Sequence, residues 1–203
     1  NEYLLMATKK GVLKKTACIE YSNPRKNGII AINLRDNDRL VNVKLTDGKQ
    51  KYIIATRNGL AVRFDESDAR SIGRNATGVR GIRLSGNDEV IGLELATNDK
   101  DTLLTATENG YGKRTFIEDY RIIRRGGKGV INIKTSGRNG KVIGIKTVKD
   151  DHELMFITKK GILIRTGVGE ISVVGRNTQG VRLMKLDAND KLVNVARIIN
   201  NGN

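Results

Sequence analysis

The sequence predicts an all-β fold made of four similar four-stranded units packed around an axis. Three observations carry this. A turn ending in glycine recurs four times, with the glycines 48, 51 and 51 residues apart. Short runs rich in Val, Ile and Leu flank every copy. Glycine is abundant at 23 residues while proline occurs once and tryptophan is absent, a profile of short strands joined by tight turns rather than of a helical bundle.

The four turns are Lys9-Lys10-Gly11, Arg57-Asn58-Gly59, Glu108-Asn109-Gly110 and Lys159-Lys160-Gly161. Each follows an apolar run: Leu4 to Thr8, Ile53 to Thr56, Leu103 to Thr107 and Leu154 to Thr158. Such a turn between two strand-like runs signals a hairpin, because its last position needs a positive φ that glycine accepts freely. Four residues beyond each glycine stands a cation, Lys15, Arg63, Arg114 or Arg165, preceded in two copies by a second one, Lys14 or Lys113. A loop then leads to a second matched glycine, Gly28, Gly78, Gly129 or Gly180. A third strand follows it, alternating as in Gly78-Val79-Arg80-Gly81-Ile82-Arg83-Leu84, which places apolar residues on one face and cations on the other. After a polar turn (Asp36 to Asp38, Gly86 to Asp88, Arg138 to Gly140, Ala188 to Asp190) comes the fourth strand. Its copies are Leu40 to Val43, Val90 to Leu93, Val142 to Ile145 and Leu192 to Val195. Residues 117–120 and their counterparts are the only place where a turn of helix is expected. The units span 1–50, 51–100, 101–150 and 151–203 of a single domain. None can bury both faces alone, so they must pack on one another in a propeller-like array.

The chain carries 37 Lys and Arg against 22 Asp and Glu, a net charge of +15. Every unit is net positive, from +1 for residues 51–100 to +6 for residues 101–150, so the charge forms a belt and not a tail. A folded domain this basic suits a polyanion, with a solubilising surface as the plain alternative. The candidate contacts are the recurring cations. They comprise Lys14, Lys15, Arg63, Lys113, Arg114 and Arg165 after the hairpins, and Arg25, Lys26, Arg74, Arg124, Arg125, Lys128 and Arg176 in the loops. Arg80, Arg83, Lys134, Arg182 and Lys185 complete the set on the third strands. An array at equivalent heights on stacked units fits a long curved duplex better than a small anion. Contacts of this kind hold phosphates without reading sequence.

Other functions find little support. Aromatic residues make up 4%, too few for a base-stacking platform. No Gly-Lys-Ser/Thr follows a glycine-rich loop, which argues against a nucleotide fold. His152 reads as a turn residue and Cys18 as a core thiol; one cysteine allows no internal disulfide and fits a reducing compartment. The acids Asp38, Asp88 and Asp190 recur in turns, where Asp supports turn geometry. No apolar run is long enough to span a membrane. Tyr3 to Ala7 already reads as a strand, so the chain is expected to begin inside a longer protein.

With the repeats in hand, the chain resembles the C-terminal domain of the bacterial DNA gyrase A protein over essentially its whole length. The resemblance is carried by Asn75 to Leu84, Leu104 to Thr115 and Glu170 to Val181. It implies a β-pinwheel, a propeller variant whose blades exchange a strand with their neighbours, and a basic perimeter that wraps duplex DNA. It also implies a partner set: the remainder of the gyrase A protein, and the gyrase B protein, in an A2B2 complex. It places the cleavage tyrosine, ATP and Mg elsewhere, so this chain alone is expected to be neither an enzyme nor a cofactor binder, monomeric when isolated, and cytoplasmic. The related domain of topoisomerase IV, and a propeller scaffold for an acidic protein, are the alternatives. The family usually carries about six blades and a Gln-Arg-Arg-Gly-Gly-Lys-Gly box in the first. Here Ile123 precedes Arg124-Arg125-Gly126-Gly127-Lys128-Gly129 in the third repeat, which reads as a secondary copy, with the box itself expected upstream of Asn1.

Overall fold

The structure, a computed structural model, describes residues 2–198. It contains fifteen strands and four short 3-10 turns. The first repeat supplies β1 (Tyr3–Thr8), β2 (Val12–Ala17) and β3 (Leu40–Thr46); the second supplies β4 (Lys51–Thr56), β5 (Leu60–Asp65), β6 (Val79–Arg80) and β7 (Val90–Leu95). The third supplies β8 (Thr102–Thr107), β9 (Tyr111–Phe116), β10 (Val130–Ile131) and β11 (Val142–Val148). The fourth supplies β12 (Glu153–Thr158), β13 (Leu163–Gly167), β14 (Val181–Arg182) and β15 (Leu192–Ile198).

The four sheets have the orders β3-β1-β2-β6, β7-β4-β5-β10, β11-β8-β9-β14 and β15-β12-β13. All ladders between named strands are antiparallel. The inner strands β3, β7, β11 and β15 neighbour one another in succession, which places the axis beside them. At that axis the Glu94 carboxylate accepts from both Lys44 Nζ (2.9 Å) and Lys146 Nζ (3.0 Å), tying three repeats together.

The outermost strand of each complete sheet comes from the following repeat. Val12 and Leu13 pair with Arg80 and Val79, Leu60 and Ala61 with Ile131 and Val130, and Tyr111 and Gly112 with Arg182 and Val181. The expected third strand is therefore real in three repeats, but it is two residues long and belongs to the neighbouring sheet. In the first repeat, residues 28–34 form no strand.

Hairpin chemistry explains the turn motif. The Thr hydroxyl that ends the first strand accepts the amide four residues on, as Thr8 from Val12, Thr56 from Leu60 and Thr158 from Ile162, each at 3.2 Å. The turn acids clamp the same hairpins from the far side of the repeat. Asp38, Asp88 and Asp190 accept the amides of Lys10 (2.9 Å), Asn58 (2.9 Å) and Lys160 (3.1 Å). A 3-10 turn follows each hairpin, including Ile117–Asp119 where a helical turn was expected.

The core lies between sheets rather than within them. One cluster joins Leu5, Ala7 and Leu13 to Tyr52, Ile54, Val62 and Phe64; the next joins Ile53, Ala55 and Ala61 to Leu103, Ile117 and Ile145. The third joins Leu104 and Ala106 to Leu154, Phe156 and Val168. Strand β4 thus gives Ile54 to one neighbour and Ile53 to the other. That is why its sequence is an unbroken apolar run and not an alternation. Cys18 is not in this core; it is half-buried.

Candidate nucleic-acid interface

The hairpin cations are where the structure departs most from the sequence reading. Lys14, Lys113, Arg63, Arg114 and Lys15 were expected on the DNA-binding surface; they lie at the joints between sheets and are 0%, 0%, 3%, 5% and 7% exposed. Strands β2, β5 and β9 are covered on both faces, so adjacent residues such as Lys14 and Lys15 are both enclosed. Their charges are satisfied by backbone carbonyls, chiefly of the next repeat, joined by Ala31 and Ala96 of their own. Arg63 donates to the carbonyls of Ala96, Ile117 and Tyr120 and pairs with Asp99 at 2.5 Å. That ion pair holds the Asp99 carboxyl below its ordinary pKa. Arg114 donates from Nε to the Ile171 carbonyl (2.8 Å) and pairs with Asp150. Lys15 Nζ reaches the Glu66 carbonyl at 3.2 Å.

Lys113 Nζ donates to the carbonyls of Gly175 (2.6 Å) and Arg176 (2.7 Å), and Lys14 Nζ to those of Ala31 (2.7 Å) and Arg74. Burial, with a nearby arginine adding to it, pushes Lys113 down to about 7 and lowers Lys14 as well. These five cations are buried and hold the array together. Arg165, at the equivalent position of the fourth repeat, is exposed and grips Glu153 of its own sheet.

The remaining candidates lie on the outer rim. Arg80 and Arg182 occupy the second position of outer strands β6 and β14, and Arg83, Lys134 and Lys185 follow three residues behind that position in successive repeats; all five are exposed. Among the loop cations, Arg25, Lys26, Arg124 and Lys128 are exposed.

Arg74, Arg125 and Arg176 are half-buried and have a second role. Each guanidinium donates to a carbonyl of the preceding repeat: Arg74 to Ile30 (2.7 Å), Arg125 to Arg80 (3.1 Å) and Arg176 to Ile131 (2.8 Å). The loop from Arg124 to Gly129 is laid against the second repeat by three further bonds, Gly126 N–H to Gly81 O (2.6 Å), Arg83 N–H to Gly127 O (2.8 Å) and Arg125 Nε to Asp68 O (2.7 Å). It thus presents Arg124 and Lys128 from a fixed backbone.

Two groups of residues went unrecognised in the sequence. A cleft of about 590 Å³ at the joint of the first two repeats is lined by Lys10, Arg35, Arg80 and Arg83 with no carboxylate. Tyr111 lies beneath two guanidinium groups, Arg138 at 4.8 Å and Arg182 at 5.7 Å from its ring centroid. A hydrogen bond from Arg182 to its hydroxyl lowers its pKa. Lys10 and Arg35 sit in turns where the repeats differ, so comparing the repeats does not single them out. Only the fold brings them to Arg80 and Arg83.

The chain is similar to known proteins in sequence and in fold. The family model for the DNA gyrase C-terminal domain, β-propeller, matches residues 2–47, 50–97, 101–149 and 152–199. The chain is 47% identical over 195 residues to the DNA gyrase A protein of Salmonella typhimurium, and 45% identical over 199 residues to that of Staphylococcus aureus. These alignments cover 96% and 98% of the chain, which spans 22% of the length of each relative. Among solved structures, the C-terminal domain of a DNA topoisomerase IV superposes with a TM-score of 0.93 at 28% identity, covering 98% of this chain and 62% of that one. A DNA gyrase A C-terminal domain superposes with a TM-score of 0.88 at 29% identity, covering 98% and 66%. With four consecutive matches to the family model, strand-exchanging sheets and these relatives, the chain belongs to the DNA gyrase C-terminal domain family of β-propeller-type modules.

Proposed function

We propose that this chain binds duplex DNA along its outer rim and bends it, independently of sequence, as the wrapping module of a gyrase A protein. In that reading the longer protein works with gyrase B in an A2B2 assembly, and DNA cleavage and Mg-dependent ATP hydrolysis belong to other parts of it. The observation that carries the proposal is the exposed ladder Arg83, Lys134 and Lys185, one cation in each of the last three repeats, on the outer side of the array. Arg80, Arg182, Arg124 and Lys128 flank it, and the acid-free cleft opens beside it. Guanidinium and ammonium groups so arranged neutralise phosphates and release counterions, contacts that position a duplex without reading its sequence. A curved row of contacts bends the duplex, at a cost of roughly 1–6 kcal/mol for a 20–30 bp site, which several phosphate contacts offset.

The test is binding of fluorescent duplexes of unrelated sequence across a salt titration. Equal affinities that fall steeply with salt are expected. Affinity indifferent to salt, or tighter binding to an acidic protein than to DNA, overturns the reading. Sealing a nicked plasmid with ligase in the presence of the chain then reports wrapping as a change in linking number.

A further inference from the structure

The three internal joints set one cross-strand pair at the same place on the rim. Val12 stands opposite Arg80, Leu60 opposite Ile131 and Tyr111 opposite Arg182. Only the last of these pairs sets an aromatic ring against a cation. Arg182 reaches across from the fourth repeat, with its guanidinium carbon 5.7 Å from the ring centroid and Nη2 donating to the phenol oxygen at 3.2 Å. Arg138, in the turn between β10 and β11, lies over the same ring at 4.8 Å. Both are within the roughly 6 Å at which a ring face attracts a cation. One half-buried tyrosine therefore serves two exposed arginines from two repeats.

Among the described residues no carboxylate pairs with either guanidinium. Two like charges on one ring repel each other, and an anion between them relieves that repulsion. The phenol registers the local field: Arg182 first, and Arg138 after it, hold it below its ordinary pKa.

The backbone under each arginine is fixed. Strand β14 pairs with β9 at Arg182, and the Asn109 side-chain amide donates to the carbonyls of Gly137 (3.1 Å) and Arg138 (3.0 Å). The remaining freedom is in the side chains, which lose rotamer entropy when they grip a ligand. The ring has already removed part of it. Arg80, the counterpart of Arg182, stays exposed although the loop of the following repeat is laid against the Gly81 carbonyl beside it, so a neighbour on that side does not enclose this position.

We propose that Tyr111 is a positioning residue of the rim: its ring and hydroxyl hold Arg138 and Arg182 as an ordered pair that grips the phosphodiester backbone of a duplex. This role rests on the duplex-binding reading above. It makes the joint of the third and fourth repeats a pre-ordered station, which Val12 and Leu60 do not provide at the other two.

Anisotropy titrations of a fluorescent duplex with the 203-residue chain, at several salt concentrations, test it. Tyr111→Leu installs the residue type that Leu60 supplies at the equivalent place, so an unchanged thermal melt is expected. Binding is expected to weaken roughly three- to tenfold, because each guanidinium must then be ordered at the moment of contact. The salt slope is kept, because both charges remain. Tyr111→Phe keeps the ring and loses only the hydroxyl, so its affinity falls between the two. Arg138→Ala with Arg182→Ala lowers the slope by about 2, and in that background Tyr111→Leu has no further effect. A tyrosine that mattered only to the fold, or that touched the DNA itself, would weaken binding in both backgrounds alike. Equal affinity of Tyr111→Leu and wild type, or the same loss without the two arginines, overturns the proposal and leaves duplex binding standing. A wild-type chain that does not bind duplex overturns both.

Discussion

Arg63 and Ala96 are 33 residues apart, yet Nε (3.1 Å) and Nη2 (2.7 Å) of the arginine both donate to the one carbonyl oxygen of Ala96. The same guanidinium serves the carbonyls of Ile117 and Tyr120 in the next repeat. Each carbonyl left without a donor costs about 1–3 kcal/mol. Arg63→Ala is therefore expected to lower stability by roughly 3 kcal/mol or more in a urea melt. Arg165→Ala, which removes an exposed ion pair, is expected to cost about 1 kcal/mol or less. Equal losses at the two sites would contradict the assignment of Arg63 to the joint.

DNA affinity should sort the cations in the opposite way. Arg83→Ala and Lys128→Ala are each expected to weaken binding by a similar factor on any duplex and to reduce the salt slope by about 1. Lys113→Met is expected to leave the salt slope of the folded chain unchanged, because the side chain is fully enclosed. Anisotropy titrations at several salt concentrations read both. A flattened slope for the Lys113 variant would place that lysine on the DNA path after all.

Lys113 should instead appear in the pH dependence of stability. Burial pushes its ammonium down to about 7 in the folded chain, from 10.5. Between those values the unfolded chain holds the proton and the folded chain has released it. Stability due to this residue therefore rises with pH through that window, with a slope of at most about 1.4 kcal/mol per pH unit. Below the window both states are protonated, and the cost of enclosing the charge is fully present. The neutral amine keeps two N–H donors, which match the carbonyls of Gly175 and Arg176. Urea melts at pH 7, 8 and 9 should show the difference between wild type and Lys113→Met shifting in favour of wild type as pH rises; a constant difference would refute the shift.

Gly59 and Gly161 separate backbone strain from packing. Both have positive φ, +88° and +86°, so an alanine at either carries a left-handed penalty of roughly 1–2 kcal/mol. A Cβ at Gly59 would also be driven into the carbonyl oxygen of Ile133, while at Gly161 it would enter open space. Thermal unfolding should show Gly59→Ala as clearly the more damaging of the two. Similar melting temperatures would mean that the repeat joint yields more easily than its geometry implies.

Much of the architecture was legible in the chain. The spacing of Gly11, Gly59, Gly110 and Gly161, and the Thr that precedes each turn, encode hairpins through local backbone chemistry, and local chemistry repeats wherever the residues repeat. The loop from Arg124 to Gly129 was readable as a bend presenting cations for the same reason. Strand exchange was not legible from the residues, though the family resemblance implied it. Val79-Arg80 has the same alternation whether it pairs within its own repeat or with Val12 and Leu13 of the one before. The first repeat shows the limit plainly, because residues 28–34 carry the strand pattern and form no strand.

By itself, then, the sequence determined the repeat, its period, the hairpins, the net positive charge and the family. Tertiary structure alone decided which cations are enclosed and which face solvent. Lys15, Arg63 and Arg114 recur as regularly as Arg83, Lys134 and Lys185, and recurrence cannot tell a lysine or arginine needed by a neighbour's carbonyls from one offered to a phosphate. That distinction arises where sheets meet face to face. A cation on β2, β5 or β9 is enclosed where its sheet meets the next and is satisfied by backbone carbonyls there, whereas one that follows an outer strand is exposed.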